Sequence, residues 1–437
     1  MKKRMLLQEI EAIQDDFLQG LRSIMQINSV KSEPEPGAPF GSGPKEALLA
    51  TLQLAENLGF DTQLVTPAIG YAQLGEGDDY IGIIGHLDVV PAGEGWDYPP
   101  FDLTLDDSVF YGRGILDNKG PIIANLYALY ALKQSNIPLK HPIRIIFGTD
   151  EESGSQDIPM YLEHEKPPLF GYTPDCKYPA VYGERGILGI DITTYFKDES
   201  LAELHYFDGD FDKSWVPDYL TYTTEEASFQ IKGKRSPSNA PELGQNVITL
   251  FAKQMTTQKI CHGELYDYLE WLYLSFHEQH TGERLGIALN DEASGTLALT
   301  PHTLSFNHKE KSSTLSLSIR YPISIKEEAL IALLTKQLPE DVSLDITRSI
   351  PSTCFDPQHP MIKCMTHVYE YMTELDGTPV TTTGATYARV MPNIVAFGPS
   401  FPGQKGIAHN KNEYMDKKDL IKNLEIYTCL LAELQTL

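Results

Sequence analysis

Two histidines and a series of carboxylates, spread between residues 86 and 409, are the side chains that could do chemistry together. In IGIIGHLDVV, residues 81–90, His86 and Asp88 stand two residues apart, so in extended backbone they share a face. An imidazole so placed can bind a metal while the neighbouring carboxylate orients it. Four acids and a second imidazole follow: Asp117 in GRGILDNKGP, Glu151 and Glu152 in GTDEESGS, Asp175 in GYTPD, and His409 in GIAHNKNEY. A His and an Asp after a strand more often satisfy a turn, and a DEE triplet is more often a solvated loop. The full set points to a metal site.

With no cysteine among them, these are ligand types suited to zinc, or to manganese and cobalt, in hydrolytic sites. Two ions in such a site stand roughly 3.5–4 Å apart, so one carboxylate must bridge them and each ion needs terminal ligands. Asp117 is the expected bridge, with His86 and Asp175 completing one ion and Glu152 and His409 the other. Glu151 and Glu152 are adjacent, so their side chains diverge: one binds metal while the other faces the bound water. Glu151 is then the candidate general base, taking a proton from that water and delivering it to the leaving amine.

The elements that must hold these residues can be read from hydrophobic spacing. Ile81–Gly85 is a short, β-branched run that reads as a buried strand ending at His86, and IRIIFG before Asp150 reads as another. Between them a long apolar helix is predicted from Lys119 through Leu132, with Gly120 and Pro121 in its first turn. Strand, helix and strand in that order predict an α/β sheet with parallel pairs, whose loops gather at the carboxyl ends of the strands. His86, Asp117, Glu151 and Glu152 all fall on such loops. Helices are also expected from Leu6 to Ile24, Lys45 to Leu58, Met361 to Leu375 and Asp416 to Leu434, with an irregular Pro/Gly-rich loop over 32–44.

From about Arg185 the texture changes to short alternating runs, Leu188–Phe196, Ala227–Lys232 and Leu315–Ile319, with helical stretches at Val247–Met255 and Leu265–Phe276. This predicts an inserted α+β domain with an antiparallel sheet. The expected division is a catalytic domain from residues 1–185 and 355–437, around an insertion at 186–354.

The 437 residues, 41% of them hydrophobic, suffice for two packed domains. Sixty acidic against 35 basic residues give a net charge of −25, which argues against nucleic acid and anionic membrane surfaces as partners and favours cations. The five cysteines are scattered without CxxC spacing, so free thiols in a reducing compartment are expected. The basic start MKKRMLLQEI is interrupted by Gln8, Glu9 and Glu11 before any signal-peptide core forms, and no run approaches a membrane span. A cytoplasmic location is the expectation.

The series GHLDVVP, GRGILDNKGP, GTDEESG, YTPD with YGERG, SIRYP, TGATYAR and AHNKNEY resembles, over nearly the whole chain, the PepV-type dipeptidases. These sit within the co-catalytic zinc metallopeptidase family that also holds aminoacylases, acetylornithine deacetylases and succinyl-diaminopimelate desuccinylases. The resemblance implies a zinc-binding catalytic domain with a mixed, largely parallel sheet, an inserted lid, two zinc ions and a monomer. It gives His86, Asp88, Asp117, Glu151, Glu152, Asp175 and His409 the roles argued above. It also suggests Arg320 in SIRYP as partner of the substrate carboxylate, which suits a guanidinium fork, unless Arg320 is a surface arginine at a strand end. Thr383, Gly384 and Ala385 resemble a small-residue loop that lets substrate backbone approach, or form an ordinary turn.

Two departures bear on activity. Where the family's lid motif carries a histidine that donates to the developing oxyanion, GKRSPSNAPELGQNV over Gly233–Val247 has Pro237, which has no donor. Such a loss typically costs about a hundred- to a thousandfold in turnover unless another donor serves. Arg235 is the expected substitute, ahead of Ser236, Ser238 and Asn239. Asn118 follows Asp117 where relatives often carry another acid. The leading expectation is hydrolysis of dipeptides by metal-held water; the alternatives are an N-acyl amino acid deacylase using the same ions, or a homologue that binds metal and peptide without turnover.

Overall fold

The isoleucine-rich segments form strands buried on both faces. Ile81–His86 and Ile143–Gly148 are parallel neighbours, with Ile81 opposite Ile143 and His86 opposite Gly148. Ile81, Ile83, Ile143, Ile145 and Phe147 enter one hydrophobic core. Ile84 and Ile146 enter another, with Tyr80, Tyr161 and Tyr387. Side chains alternate between faces, so a strand covered on both sides reads as an unbroken apolar run.

The computed structural model describes residues 2–225, 227–338 and 342–437. They divide into two compact units: the first holds the described residues up to Tyr182 with Phe355–Val380 and Gly384–Leu437, the second Gly183–Cys354 with Thr381–Thr383. The sheet of the first unit runs in the order Asp61–Thr66, Ile69–Leu74, Ile143–Gly148, Ile81–His86, Phe170–Thr173, Ile394–Ala396, with Ala396 pairing next to Val181. Its central pairs are parallel and its flanks antiparallel. The α/β class with a mixed, centrally parallel sheet is therefore as the sequence indicated. Phe170–Thr173 is a four-residue strand that periodicity alone did not reveal.

The helix Lys119–Gln134 is buried at nearly every position because Lys2–Met25 and Lys417–Leu434 both pack on it. At its start, Lys119 is buried and donates from Nζ to the carbonyls of Ile24 and Ile27, at 3.1 and 2.6 Å, which closes the carboxyl end of the first helix. The second helix, Ser42–Asn57, begins three residues earlier than expected. Pro44 falls in its first turn, where a missing N–H costs no helical bond. Among the described residues no helix is long and apolar enough to cross a membrane.

The second unit is α+β. Ala298–Asn307, Ser312–Tyr321, Gly186–Tyr195 and Val342–Ile350 form an antiparallel sheet in that order. Leu204–Gly209, Tyr219–Thr224 and Ser228–Lys232 form another. Helices Val247–Thr257 and Gly263–Phe276 pack together, and Leu188, Ile190, Leu220, Phe251, Leu269 and Leu317 share one core.

One buried polar tie in the first unit closes the chain on itself. Glu413, from the C-terminal segment, pairs with Arg113 at 2.7 Å, both essentially without solvent contact. Its oxygens also accept the backbone N–H groups of Gly114, Leu116 and Asp117 at 3.1, 2.9 and 3.1 Å. Glu413 therefore fixes the loop that delivers Asp117. Removing one partner of such a pair strands a buried charge and typically costs about 3–5 kcal/mol. Glu413→Ala is expected to lower unfolding stability by that amount, read as a shift in the urea midpoint at unchanged slope; a shift under about 1 kcal/mol would mean that other contacts hold the Asp117 loop.

Candidate active site

His86 is the last residue of its strand and is fully buried. Its Nδ1 lies 2.9 Å from the carbonyl oxygen of Asp88 and 3.4 Å from Asp88 Oδ1. This turns Nε2 towards Asp117 Oδ1 at 3.0 Å and Asp175 Oδ1 at 3.7 Å. The preceding Gly85 has no side chain for a steric reason: a Cβ there would stand 2.3 Å from Asn118 Oδ1. That oxygen accepts the His86 N–H at 3.3 Å while Asn118 Nδ2 donates to the Pro174 carbonyl at 2.6 Å. One neutral amide thus ties together the segments that carry His86, Asp117 and Asp175. A carboxylate at 118 could not make the bond to Pro174, which gives the departure from the family pattern a physical function.

Asp117 divides its two oxygens between two imidazoles. Oδ1 faces His86, and Oδ2 lies 3.1 Å from His409 Nε2, which is also 3.0 Å from Glu152 Oε1. His409 holds a left-handed backbone conformation, φ 64°, within the 406–412 turn.

The Glu151–Ser153 turn follows the Ile143–Gly148 strand at the same sheet edge. Asp88 accepts the N–H of Glu151 on Oδ1 at 3.2 Å and that of Glu152 on Oδ2 at 3.1 Å. The residue expected only to orient His86 thus also holds the backbone of both glutamates. Asp150 is buried and paired with Lys31 at 2.7 Å.

The ionisation of the cluster follows from burial and like charge. Burial, then repulsion by Asp175, pushes Glu151 well above the ordinary carboxylate range. Burial and the charge of Asp117 raise Glu152, and the same two causes push Asp175 up to about 7. Asp117 moves the other way, because the hydrogen bonds and charges of His409 and His86 outweigh its burial. His409, bonded to Asp117 and Glu152, is pushed up to about 11. His86 is lowered by burial, yet Asp175, Asp117 and Asp88 raise it well above its usual value.

The donor chemistry fits divalent cations. His86, Asp117 and Glu152 can each bring one ligand atom within 4.8 Å of the others, and so can His86, Glu151 and Asp175. Carboxylate oxygens that repel one another in a buried site, with imidazole nitrogens among them, are what a divalent ion stabilises. Glu151 and Glu152 both lie within reach, and only Glu152 is bonded to His409.

His86, Asp88, Asp117, Glu151, Glu152, Asp175 and His409 are thus brought together. Gly384 belongs to the first unit and its carbonyl accepts from Arg389 Nη2 at 2.9 Å. Arg320 lies in the second unit, opposite Ile187 and Ala298 on its sheet. Arg235, also in that unit, is ion-paired with Asp210 and, at 3.1 Å, with Asp218. Donation by Arg235 to a substrate oxygen would draw on those contacts. Ser236 is likewise engaged, with the Ala240 carbonyl at 3.1 Å. Sequence reasoning missed Glu413, Asp157 and Tyr387, although Glu413 and Tyr387 stand inside the AHNKNEY and TGATYAR segments.

Comparison with known proteins agrees with this geometry. Residues 82–433 match the model of peptidase family M20/M25/M40. The chain is 31% identical to a Bacillus subtilis protein, YtjP, whose name carries a provisional dipeptidase assignment; the match covers 98% of this chain and 99% of that one. It is also 31% identical to the Beta-Ala-Xaa dipeptidase of Lactobacillus delbrueckii subsp. lactis, over 97% of each. Among solved structures, human carnosine dipeptidase 1 has a similar fold, with a TM-score of 0.63 at 17% identity over 100% of this chain and 99% of that one. With a family match that includes every residue of the cluster, this chain belongs to peptidase family M20/M25/M40.

Proposed function

We propose that this chain hydrolyses dipeptides with the help of two divalent metal ions, zinc foremost and manganese or cobalt as substitutes. The observation that carries the reading is the division of Asp117 between His86 and His409, one oxygen to each, as a bridging carboxylate requires. His86 and Asp175 would hold one ion, Glu152 and His409 the other, and Asp117 both. When bound, the ions supply Lewis acidity towards water and the scissile carbonyl. The names of the relatives, dipeptidases in both cases, support the substrate class.

Glu151 is the base in this reading. It stands beside Glu152 on the same turn but makes no bond to His409, and its burial favours its taking up a proton. It removes the proton from the attacking water as the bond to the carbonyl carbon forms, then delivers it to the leaving amine as the peptide C–N bond breaks. Asp88 keeps His86 oriented and holds the turn. Residues 186–354 as a lid, Arg320 as partner of the substrate carboxylate, Gly384 as part of the loop beside substrate backbone, and a monomeric state rest on the family resemblance.

Glu151→Gln is expected to lower kcat on unblocked dipeptides by about a hundred- to ten-thousandfold while bound metal stays at the parent level by elemental analysis. Parent-like turnover would remove Glu151 from the mechanism. Removing metal with a chelator should abolish hydrolysis, and re-addition of zinc or manganese should restore it at about two ions per chain. His409→Ala should retain about one. Turnover of N-acyl amino acids without turnover of dipeptides would point to the deacylase instead.

A further inference from the structure

Tyr387 and Asp157 take no part in the proposed chemistry, yet both are fully buried beside the turn that carries Glu151 and Glu152. The Tyr387 hydroxyl donates to Asp157 Oδ2 at 2.5 Å. The same oxygen accepts the backbone N–H groups of Thr149 at 2.7 Å and Asp150 at 3.2 Å. Asp157 Oδ1, by contrast, is buried with no hydrogen-bond partner among the described residues. Asp157 thus gives one buried oxygen to two backbone donors and a tyrosine hydroxyl at once. Burial pushes it up to about 7, and the Tyr387 hydroxyl and Thr149 N–H act to lower it again.

The next two N–H groups along the chain, those of Glu151 and Glu152, go to Asp88. Two buried carboxylates therefore take four consecutive backbone donors, Thr149 and Asp150 on one and Glu151 and Glu152 on the other. Gly148 makes room for the first of these clamps: a Cβ there would stand 2.1 Å from the Tyr387 hydroxyl oxygen and 2.6 Å from Asp157 Oδ2. The Tyr387 ring also meets the His86 ring edge-on, with centroids 6.3 Å apart. Tyr387 thus touches both strand ends that deliver chemistry to the site.

We propose that Tyr387 and Asp157 are positioning residues for the hydrolysis, fixing through Thr149 and Asp150 the path on which the chain leaves the sheet and hence the aim of Glu151 and Glu152. The hydroxyl matters and the ring alone does not suffice, because only the hydroxyl reaches Asp157. The proposal rests on the reading of Glu151 as the base. Small displacements of a reacting group cost large factors in rate, about a hundredfold for 1 Å.

The test is Tyr387→Phe in the full chain loaded with zinc, which keeps the ring and deletes one hydrogen bond. The expected result is a fall in kcat of about tenfold or more with KM changed by less than about twofold and bound metal unchanged. Hydrogen exchange at the amides of 149–152 should accelerate, and Asp157→Asn should do the same. The double variant should be no slower than the worse single one, as for residues acting as a unit. A lowered unfolding midpoint with parent kcat per folded molecule, or unchanged exchange at 149–152, overturns the proposal. If Glu151→Gln retains parent activity, the assignment of the base fails by itself, and the exchange measurement still decides whether the clamp exists.

Discussion

The mutual repulsion of carboxylates drawn into one buried region is the constraint that the first unit is built around. Asp88, Asp117, Glu151, Glu152 and Asp175 all converge there, and burial alone raises the free energy of each in its charged form. The ion pairs that oppose this come from the imidazoles of His86 and His409. Such an arrangement does not hold together through the attraction of its members. Rigid backbone must hold it, and the central parallel strands with their covered faces provide that backbone.

The means of holding is the same in three places: a buried carboxylate accepts consecutive or nearly consecutive backbone N–H groups of a loop. Glu413 does so for Gly114, Leu116 and Asp117, Asp88 for Glu151 and Glu152, and Asp157 for Thr149 and Asp150. Loops at strand ends have amide groups that no ladder satisfies, and an unsatisfied buried amide is costly. Charged acceptors make stronger bonds than neutral ones and act over both partners at once. Asn118 adds a neutral version, donating to one segment and accepting from another. The functional acids are therefore oriented largely by acids and an amide that take no part in the chemistry.

The second unit has a different balance. Its antiparallel sheets are half exposed, as in Val342–Ile350, and its core is a separate cluster around Leu188, Phe251 and Leu269. Pro237 there forms a bridge pair with Trp215, and the neighbouring Arg235 is engaged by Asp210 and Asp218. The family resemblance places a donating histidine at this point, where this chain has a residue without a donor. The first unit nevertheless brings the candidate metal ligands His86, Asp117, Glu151, Glu152 and Asp175 together.

The amino-acid sequence by itself determined most of the elements that carry the site and the residue types of the candidate ligand set. The unbroken Ile81–Gly85 and IRIIFG runs could only be strands covered on both faces, and the carboxyl ends of such strands are where His86, Glu151 and Glu152 had to emerge. Residue type and the rule that parallel strands align their ends carried that much. What the tertiary structure decided is which groups hold those residues in place. Glu413 lies about three hundred residues from the loop it fixes, and Tyr387 is 230 residues from Asp157. Neither pairing leaves a periodic trace, since a single buried hydrogen bond has no spacing to repeat. Arg235 illustrates the same limit: its ion pairs with Asp210 and Asp218 exist only once the chain has folded. Short-range pattern records which face of an element is buried; which polar atom meets which depends on contacts that exist only once the chain has closed.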